Sequence, residues 1–595
     1  MLTKPLHTFH IPVMGLAYTI DSPIRVAKYG ISSVISVMDD ELMEKMNHFY
    51  SEKFGFPYQE ISKKVEDFRC KRITSYLNLV DKIVKQKFSQ WKTELFESKK
   101  ALENYIDMLP RTSEIRQELQ NYLHKTPFKE NFKNFIEQNL KPGAIDVNIM
   151  TKVDKENFNK NAPLDTIYND AHAALRGFAQ SNLCSSVVLS AGMNPRLFSY
   201  FETFEDFYPN ASAALSKKII LKVSDYRSAL IQGSFLAKKG LWVSEYRIES
   251  GLNCGGHAFA TDGFLLGPIL EEFKQKRSEL VQTTHELMCK ALAQKGKWIP
   301  ESPLQLDITA QGGVGTAEEH EFLLHEYQLS SVGWGSPFLL VPEATSVDKE
   351  TRQLLQKATE KDLYLSNLSP LGIPFNTVKG MSNDFFRSQR ISKDKAGSSC
   401  PRKYLALNKD YSNQGLCTAS KKFQDIKIKE LQGLKDNMPE TAYNDQYQSI
   451  TEKACLCIGL ANASLLEHEL PVKGEAQGIV ICPGPNMAYF DKEVSLKTMI
   501  QHIYHRGQSI IDGPRPHFFI KELRMYRDHF VTEKRELLHD FNAMKEKKLG
   551  KFKQNLLDGI TYYQNLFMLD TLYFYEHKQL ALDELNQIKM ELNQL

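Results

Sequence analysis

The chain has 595 residues, of which 42% are hydrophobic and 25% are charged, and its formal net charge is +3. This composition is typical of a globular protein with a large core, and the length predicts one large domain with additions or several domains. The nearly balanced charge gives no reason to expect nucleic acid or an anionic membrane as a partner. No apolar run approaches the roughly 20 residues that span a bilayer.

The amino-terminal sequence has no basic region followed by an uninterrupted apolar block, so we expect no secretory signal. The expected location is therefore the cytoplasm. Nine cysteines in a chain of this length do not indicate a disulfide scaffold. In a reducing compartment, clustered cysteines point instead to ligands or to catalysis.

Short strands alternate with helical stretches through much of the chain. Residues 9–17 and 30–37 are predicted as two buried strands joined by a helix, which is the start of a parallel sheet. Residues 39–140 are charged, helical in period and nearly free of glycine, which predicts a helical insertion. Further strands are predicted at residues 144–153, 186–190, 218–223, 240–248, 304–309 and 331–336.

Each of the last two predicted strands leads into a glycine-rich loop. One predicted helix lies between the first loop and the second strand. The first loop is Gln311-Gly312-Gly313-Val314-Gly315 and the second contains Gly333-Trp334-Gly335-Ser336. Glycines allow bare backbone N–H groups to approach phosphate oxygens closely. In a (β/α)₈ barrel the loops after strands seven and eight commonly hold a phosphate.

These features predict an α/β fold, a (β/α)₈ TIM barrel with a large helical insertion and a mostly helical carboxyl-terminal region. A doubly wound sheet remains an alternative on the strand pattern alone. The predicted divisions are residues 1–40 and 142–380 for the barrel, 41–141 for the insertion, 381–490 for a cysteine-containing region and 491–595 for the final helices.

A histidine lies just beyond the sixth predicted strand, in Asn253-Cys254-Gly255-Gly256-His257. Residues past the carboxyl end of a barrel strand face the active site. Histidine has an ordinary pKa near neutrality, so His257 is a candidate general base. Cys254 is a candidate catalytic thiol, and a small packing residue is the alternative.

Three segments, residues 251–257, 310–315 and 332–343, together resemble the flavin-dependent nitronate monooxygenase (2-nitropropane dioxygenase) family. Its members are FMN-binding (β/α)₈ barrels and include FMN-dependent enoyl reductases. The resemblance covers roughly residues 9–38 and 143–380. Two departures lie where flavin and substrate would meet: Val13-Met14-Gly15-Leu16 replaces a Gln and a Pro-Met pair, and Asn253-Cys254 replaces an acidic-Ala pair.

The resemblance implies roles for individual residues. His257 would take a carbon-bound proton from the substrate, or donate one in a reductase. Asn148 would contact the flavin, and Gly312, Gly313, Gly335 and Ser336 would hold the FMN phosphate. The full set of implied cofactor-binding residues is Met14, Gly15, Asn148, Gly255, Gly256, Gln311, Gly312, Gly313, Gly335 and Ser336.

Five cysteines form a second signal within residues 381–490, namely Cys400, Cys417, Cys455, Cys457 and Cys482. Two of them precede proline, as iron–sulfur ligands commonly do, and four thiolates suffice for a [4Fe–4S] cluster. Four thiolates also suit structural zinc. Because the spacing matches no tight motif, iron–sulfur ligation, zinc ligation and unligated thiols all remain open.

The sequence therefore predicts an FMN-dependent oxidoreductase resembling nitronate monooxygenases, acting on a small-molecule substrate. Alternatives are an FMN-dependent enoyl reductase, an iron–sulfur flavoprotein that transfers electrons to a redox partner, and a barrel that has lost catalysis and serves as a scaffold. The substrate and the oligomeric state are not predicted.

Overall fold

The computed structural model describes residues 5–124, 129–190, 192–472, 478–539, 542–569, 573–574 and 577–595. The strands are β1 (Phe9–Ile11), β2 (Ser32–Ser36), β3 (Ile145–Met150), β4 (Phe158–Asn159), β5 (Ala162–Pro163), β6 (Ser186–Ser190), β7 (Lys218–Val223), β8 (Val243–Glu249), β9 (Gly256–His257), β10 (Asp307–Gln311), β11 (Ser331–Gly333), β12 (Leu363–Ser366) and β13 (Phe375–Val378). Eight of them, β1, β2, β3, β6, β7, β8, β10 and β11, form a closed parallel barrel in that order. β1 closes it by pairing with both β2 and β11. The predicted barrel is confirmed.

The helices are α1 (Ser22–Val26), α2 (Asp40–Phe54), α3 (Phe68–Glu97), α4 (Lys99–Ile106), α5 (Glu114–His124), α6 (Lys129–Asn139), α7 (Asp170–Ala179), α8 (Pro195–Tyr200), α9 (Tyr226–Ala237), α10 (Leu266–Gln294), α11 (Ala317–Glu326), α12 (Lys349–Lys357), α13 (Ser382–Ile391), α14 (Lys421–Gly433), α15 (Glu440–Thr451), α16 (Leu456–Glu467), α17 (Leu496–Ile503), α18 (Phe518–His539), α19 (Ala543–Met568) and α20 (Lys578–Gln594). α2 to α6 separate β2 from β3, and α13 to α20 follow the barrel, so the predicted helical additions are confirmed. Within the described ranges no helix combines the length and apolarity needed to cross a membrane.

The first strand is shorter than the sequence predicts. β1 ends at Ile11, because Pro12 has no N–H to donate to a neighbouring strand. The chain then turns through Gly15, whose φ of +55° suits glycine. Residues 12–15, predicted as strand, are therefore free to line the open end of the barrel.

One continuous apolar core joins the barrel to both helical additions. It includes Val147 and Leu189 from the barrel strands, Tyr76 from α3, Leu523 from α18 and Tyr563 from α19, all buried. The hydrophobic sides of α3, α18 and α19 thus pack on the barrel, which is how amphipathic helices are stabilised.

The segment after the barrel builds a second core over its carboxyl-terminal end. Phe375, Val378, Leu456, Val480 and Met487 are buried there together. β13 pairs antiparallel with β12 and also with the short strand β9, opposite which Phe375 lies in register with His257. This small sheet fixes the position of the candidate catalytic histidine.

Glu522 of α18 anchors the carboxyl-terminal helices to the loop after β8. Ser250 Oγ donates to Glu522 Oε1 at 2.5 Å, and the Leu266 N–H donates to Glu522 Oε2 at 2.9 Å. Burial raises the pKa of Glu522 from 4.5 to about 7. The carboxyl group is therefore stabilised in its protonated form, in contrast to an ordinary surface glutamate.

Gly143 precedes β3 and lies against the backbone at the start of β2. A Cβ atom at this position would lie 2.0 Å from the Ile31 carbonyl oxygen. Gly143→Ala is therefore expected to lower the free energy of unfolding by about 1–3 kcal/mol, because the backbone of β2 must shift. Gly550→Ala is the matched control, since Gly550 lies in α19 with open space around it, and alanine there favours the helix. Thermal unfolding of both variants checks this, and equal unfolding temperatures would contradict it.

The raised pKa of Glu522 makes stability depend on pH. Since the folded state binds this proton more tightly than the unfolded state, the contribution is complete below pH 4.5 and is lost as pH rises to about 7. The loss is about 3 kcal/mol. Glu522→Gln should remove this dependence and stabilise the protein most above neutrality, as denaturant unfolding at several pH values would show. Glu536→Gln on the same helix is the control, and an unchanged slope in Glu522→Gln would refute the assignment.

Candidate functional site

Two adjoining cavities open at the carboxyl ends of the barrel strands. The loop cavity, of about 80 Å³, lies between the glycine loops after β10 and β11, residues 12–15, and Cys482 and Asn486. The mouth cavity, of about 420 Å³, lies above the strand ends, and its lining includes the apolar residues Leu16, Met150, Val223, Phe259, Phe375 and Leu460. Val13, Gly15, Glu249, Gly255 and Cys482 line both, so the two cavities form one continuous site.

The loop after β10 has a backbone that only glycine adopts readily. Gly312 has a φ of +125° and Gly313 a φ of +83°, and a Cβ atom on Gly313 would lie 2.0 Å from Asn253 Nδ2. α11 follows at once, with a capping box between Thr316 and Glu319. The amino-terminal end of this helix, with its partial positive charge, therefore lies next to the loop.

Three backbone N–H groups in these loops, those of Gly313, Val314 and Gly335, have no hydrogen-bond partner among the described residues. Val314 is buried, where backbone donors are nearly always paired, whereas Gly313 and Gly335 are partly exposed beside the loop cavity. Free donors on two loops that border one cavity are suited to bind a phosphate.

Residues of the carboxyl-terminal region form hydrogen bonds with both glycine loops. Arg515, which is buried, donates to the Gly313 carbonyl oxygen at 2.5 Å and to Glu319 Oε1 at 2.6 Å. The Gly484 N–H donates to Ser336 Oγ at 2.8 Å. The contacts made by Arg515 and Gly484 were not predicted, because no pattern in residues 482–515 indicates contact with a barrel loop that is distant in sequence.

The structure places every predicted catalytic and cofactor-binding residue on one of the two cavities. The residues on the loop cavity are Met14, Gly15, Cys254, Gly255, Gln311, Gly312, Gly313, Gly335 and Ser336. Those on the mouth cavity are Asn148, Gly256 and His257, together with Gly15 and Gly255. The amide oxygens of Asn148 and Gln311 are buried without a hydrogen-bond partner, which suits groups that await a ligand. The roles of these residues stay predictions.

His257 is held in one orientation and is neutral near physiological pH. Its Nε2 lies 2.6 Å from Ser369 Oγ, and its ring packs edge-on against Phe375 at 5.0 Å. Burial lowers the pKa of His257 from 6.5 to about 4. A neutral imidazole has one nitrogen that accepts a proton and one that donates.

Cys254 lies three residues before His257 in the sequence, but its surroundings disfavour the thiolate that a nucleophile needs. Burial raises the pKa of its thiol well above the ordinary value, and the negative charge of Glu249 raises it further. Because the thiolate is the reactive species, these surroundings favour a packing role for Cys254 over catalysis.

A partly buried ion pair in the mouth cavity was also not predicted from the sequence. Lys222 Nζ lies 2.7 Å from Glu249 Oε2, and Gln311 Nε2 donates to Glu249 Oε1 at 2.7 Å. Lys222 and Glu249 stand near the carboxyl ends of β7 and β8. Functional residues of this fold lie at the carboxyl ends of the strands, so this position could have identified the pair from the sequence.

The predicted metal ligands are not supported. Within the described part of the chain, which includes all five cysteines, no three His, Cys, Asp or Glu side chains are placed to hold a metal ion. Cys482 lies at the cavities beside Tyr18 and Gly15, whereas Cys400 hydrogen-bonds to Cys417 in the second core. Burial raises the pKa of Cys455 and Cys457, and that of Cys482 to about 12, whereas the hydrogen bond with Cys417 lowers the pKa of Cys400. The described part of the chain therefore gives no support to the expected iron–sulfur or zinc site.

No family model matches this sequence, and no curated protein matches it. Solved structures do match. FabK from Thermotoga maritima is 12% identical with a TM-score of 0.36, over 88% of this chain and 97% of that one. The enoyl reductase domain of MlnA from Bacillus amyloliquefaciens is 14% identical with a TM-score of 0.32, over 73% and 89%.

Nitroalkane oxidase from Streptomyces ansochromogenes is 8% identical with a TM-score of 0.33, over 85% of this chain and 96% of that one. At these identities and TM-scores, the function has to be inferred from the residues of the two cavities.

Proposed function

We propose that this chain is an FMN-dependent oxidoreductase whose site is formed by the loop cavity and the mouth cavity together. The observation that carries the proposal is the pair of glycine loops. They bring the unpaired N–H groups of Gly313, Val314 and Gly335 to one cavity that adjoins the cavity holding a neutral histidine. This is the arrangement expected for a cofactor with a phosphate at one end and a reactive ring at the other.

The residues present fit FMN. The backbone of residues 312–314, Gly335 and Ser336 would hold the phosphate, with the amino-terminal end of α11 behind it. The amide oxygens of Gln311, on the loop cavity, and Asn148, on the mouth cavity, have no hydrogen-bond partner among the described residues and would accept hydrogen bonds from the ring system. When bound, FMN supplies the two-electron chemistry, and the protein supplies position and electrostatics.

His257 would accept the proton removed from the substrate carbon, or donate a proton to that carbon. Ser369 Oγ occupies its Nε2 and also accepts a hydrogen bond from the Leu371 N–H. The Ser369 hydroxyl is able to accept from Nε2 or to donate to it. Nδ1 is then the base in the first case and the donor in the second, so one site serves proton removal from carbon and proton delivery to it.

The lining of the mouth indicates the kind of substrate. Six apolar side chains contribute to it, and the positive charge of Lys222 is already neutralised by Glu249. An apolar chain next to the reacting carbon fits these walls better than a small, fully polar molecule. This favours reduction of an unsaturated acyl compound as the second candidate beside nitronate oxidation.

The function is tested on protein purified without oxygen. Flavin absorbance bands, or uptake of added FMN, support the cofactor. NAD(P)H consumption with an enoyl thioester then indicates the reductase, whereas oxygen-dependent turnover of a nitronate indicates the monooxygenase. A colourless protein that takes up no FMN would refute the oxidoreductase proposal and leave a scaffold.

Gly313→Ala tests the phosphate loop. The new methyl group would clash with Asn253 and strain a backbone with a φ of +83°, so FMN affinity should fall at least about tenfold. Gly296→Ala is the matched control, because Gly296 has a φ of +62° but open space around it. Fluorescence titration with FMN measures both. Unchanged affinity in Gly313→Ala would show that the phosphate lies elsewhere.

His257→Ala should retain FMN but lose about 10²–10⁴-fold in turnover, the usual size of a general acid–base contribution. His325→Ala, on the exposed side of α11, should keep full activity. Because burial lowers the pKa of His257 to about 4, the wild-type profile of kcat/KM should show no loss at the ordinary histidine pKa of 6.5 and should fall only near 4. Full turnover in His257→Ala would contradict the proposed acid–base role of His257.

A further inference from the structure

A third cavity, which we call the rim cavity, lies beside the mouth cavity and has a different chemical character. Its volume is about 330 Å³, and the loops after β3 and β6 form it together with residues 406–414 of the carboxyl-terminal region. Lys152 lines both the rim cavity and the mouth cavity. The two cavities therefore meet at this side chain.

Positive charge exceeds negative charge in the rim cavity. Its lining includes the four cations Lys152, Lys155, Arg196 and Lys409 but only two carboxylates, Asp154 and Glu156. Both carboxylates already have partners. Asp154 Oδ2 lies 2.7 Å from His172 Nδ1, and Glu156 Oε2 lies 2.7 Å from Lys409 Nζ.

Two of the cations, Lys152 and Arg196, are exposed side chains without an ion pair to any described residue. Within the described ranges, neither Lys152 nor Arg196 forms an ion pair or a side-chain hydrogen bond. Lys152 also passes close to Gly192, where a Cβ atom would lie 3.1 Å from Lys152 Nζ. Gly192 lines the mouth cavity, so the glycine leaves room for the lysine between the two cavities.

The surroundings of Lys155 are consistent with excess positive charge. Burial lowers the pKa of Lys155, and Arg69 and Lys403 lower it further against the opposing charge of Asp170. An anion in the rim cavity would relieve this repulsion. Arg196 offers a planar guanidinium, and Lys152 a point charge, both of which suit phosphate oxygens.

We propose that the rim cavity binds the phosphate-type anionic group of an amphiphilic ligand whose apolar chain lies in the mouth cavity. The proposal rests on the proposed function for the statement that this ligand is the substrate. The lining of the mouth cavity includes six apolar side chains, and two cations without an ion pair to a described residue line the adjoining rim cavity, which matches a molecule with an apolar reacting chain and a charged end. The rim cavity would thus select substrates by their anionic end, apart from the site of reaction.

Calorimetry on the full-length protein in excess FMN tests this, with decyl phosphate, 1-decanol and inorganic pyrophosphate as probes. Excess FMN keeps the loop cavity from binding the probe phosphates. The test variant is Lys152→Gln/Arg196→Gln. The matched control is Lys349→Gln/Lys357→Gln on α12, which removes the same charge from exposed positions.

Decyl phosphate should bind the wild type and the control at least about tenfold more tightly than it binds the test variant. Decanol should bind all three alike. Equal decyl phosphate affinity in all three proteins would overturn the proposal. Pyrophosphate that binds as tightly as decyl phosphate would also overturn it, because the cavity would then serve a free anion.

FMN uptake measured on the same samples separates the two proposals. If FMN binds and decyl phosphate shows no dependence on Lys152 and Arg196, only the rim-cavity proposal fails. If FMN does not bind, the oxidoreductase proposal fails. A dependence of decyl phosphate binding on these two cations would then still support an amphiphile site.

Discussion

The buried carboxylate of Glu319 is the interaction on which the candidate site depends. It accepts the guanidinium of Arg515 at 2.6 Å and the backbone N–H groups of Gly315 and Phe518. Burial alone would raise its pKa, but Arg515 above all brings it below the ordinary value, so the charge persists in the interior. One carboxylate thereby caps α11, fixes the glycine loop and positions the start of α18. Removal of Arg515 would leave a buried charge without its main partner, a costly state.

The arrangement explains why a barrel carries so much additional chain. The barrel strands supply the glycine loops and the Lys222–Glu249 pair, but His257 is held by a small sheet whose other strands come after the barrel. Cys482 and Asn486 form part of the loop cavity wall, and the Gly484 N–H donates to Ser336 Oγ on the same cavity. The carboxyl-terminal region is therefore part of the site, and its helices stabilise loops that would otherwise expose unpaired backbone groups.

Polarity changes in steps across the open end of the barrel. N–H groups without a described hydrogen-bond partner border the loop cavity, and apolar side chains contribute to the lining of the mouth cavity. Cations without a described ion-pair partner line the rim cavity. The Lys222 charge is neutralised within the mouth, whereas Lys152 and Arg196 are not neutralised at its edge. Such a sequence of surroundings favours a ligand that is itself apolar in the middle and charged at one end.

The barrel could be predicted from the sequence because short apolar strand segments alternate with helical stretches, and because two glycine loops one helix apart favour a barrel over a doubly wound sheet. The glycine loops and the position of His257 after β8 could also be predicted, since local backbone requirements reveal them. Other features became evident in the folded molecule. The first strand ends before Pro12, the cysteines of residues 400–482 pack in or against the second core, and Arg515 and Glu522 contact barrel loops more than 200 residues away. Such contacts follow from packing between distant segments, which leaves no periodic trace in the sequence.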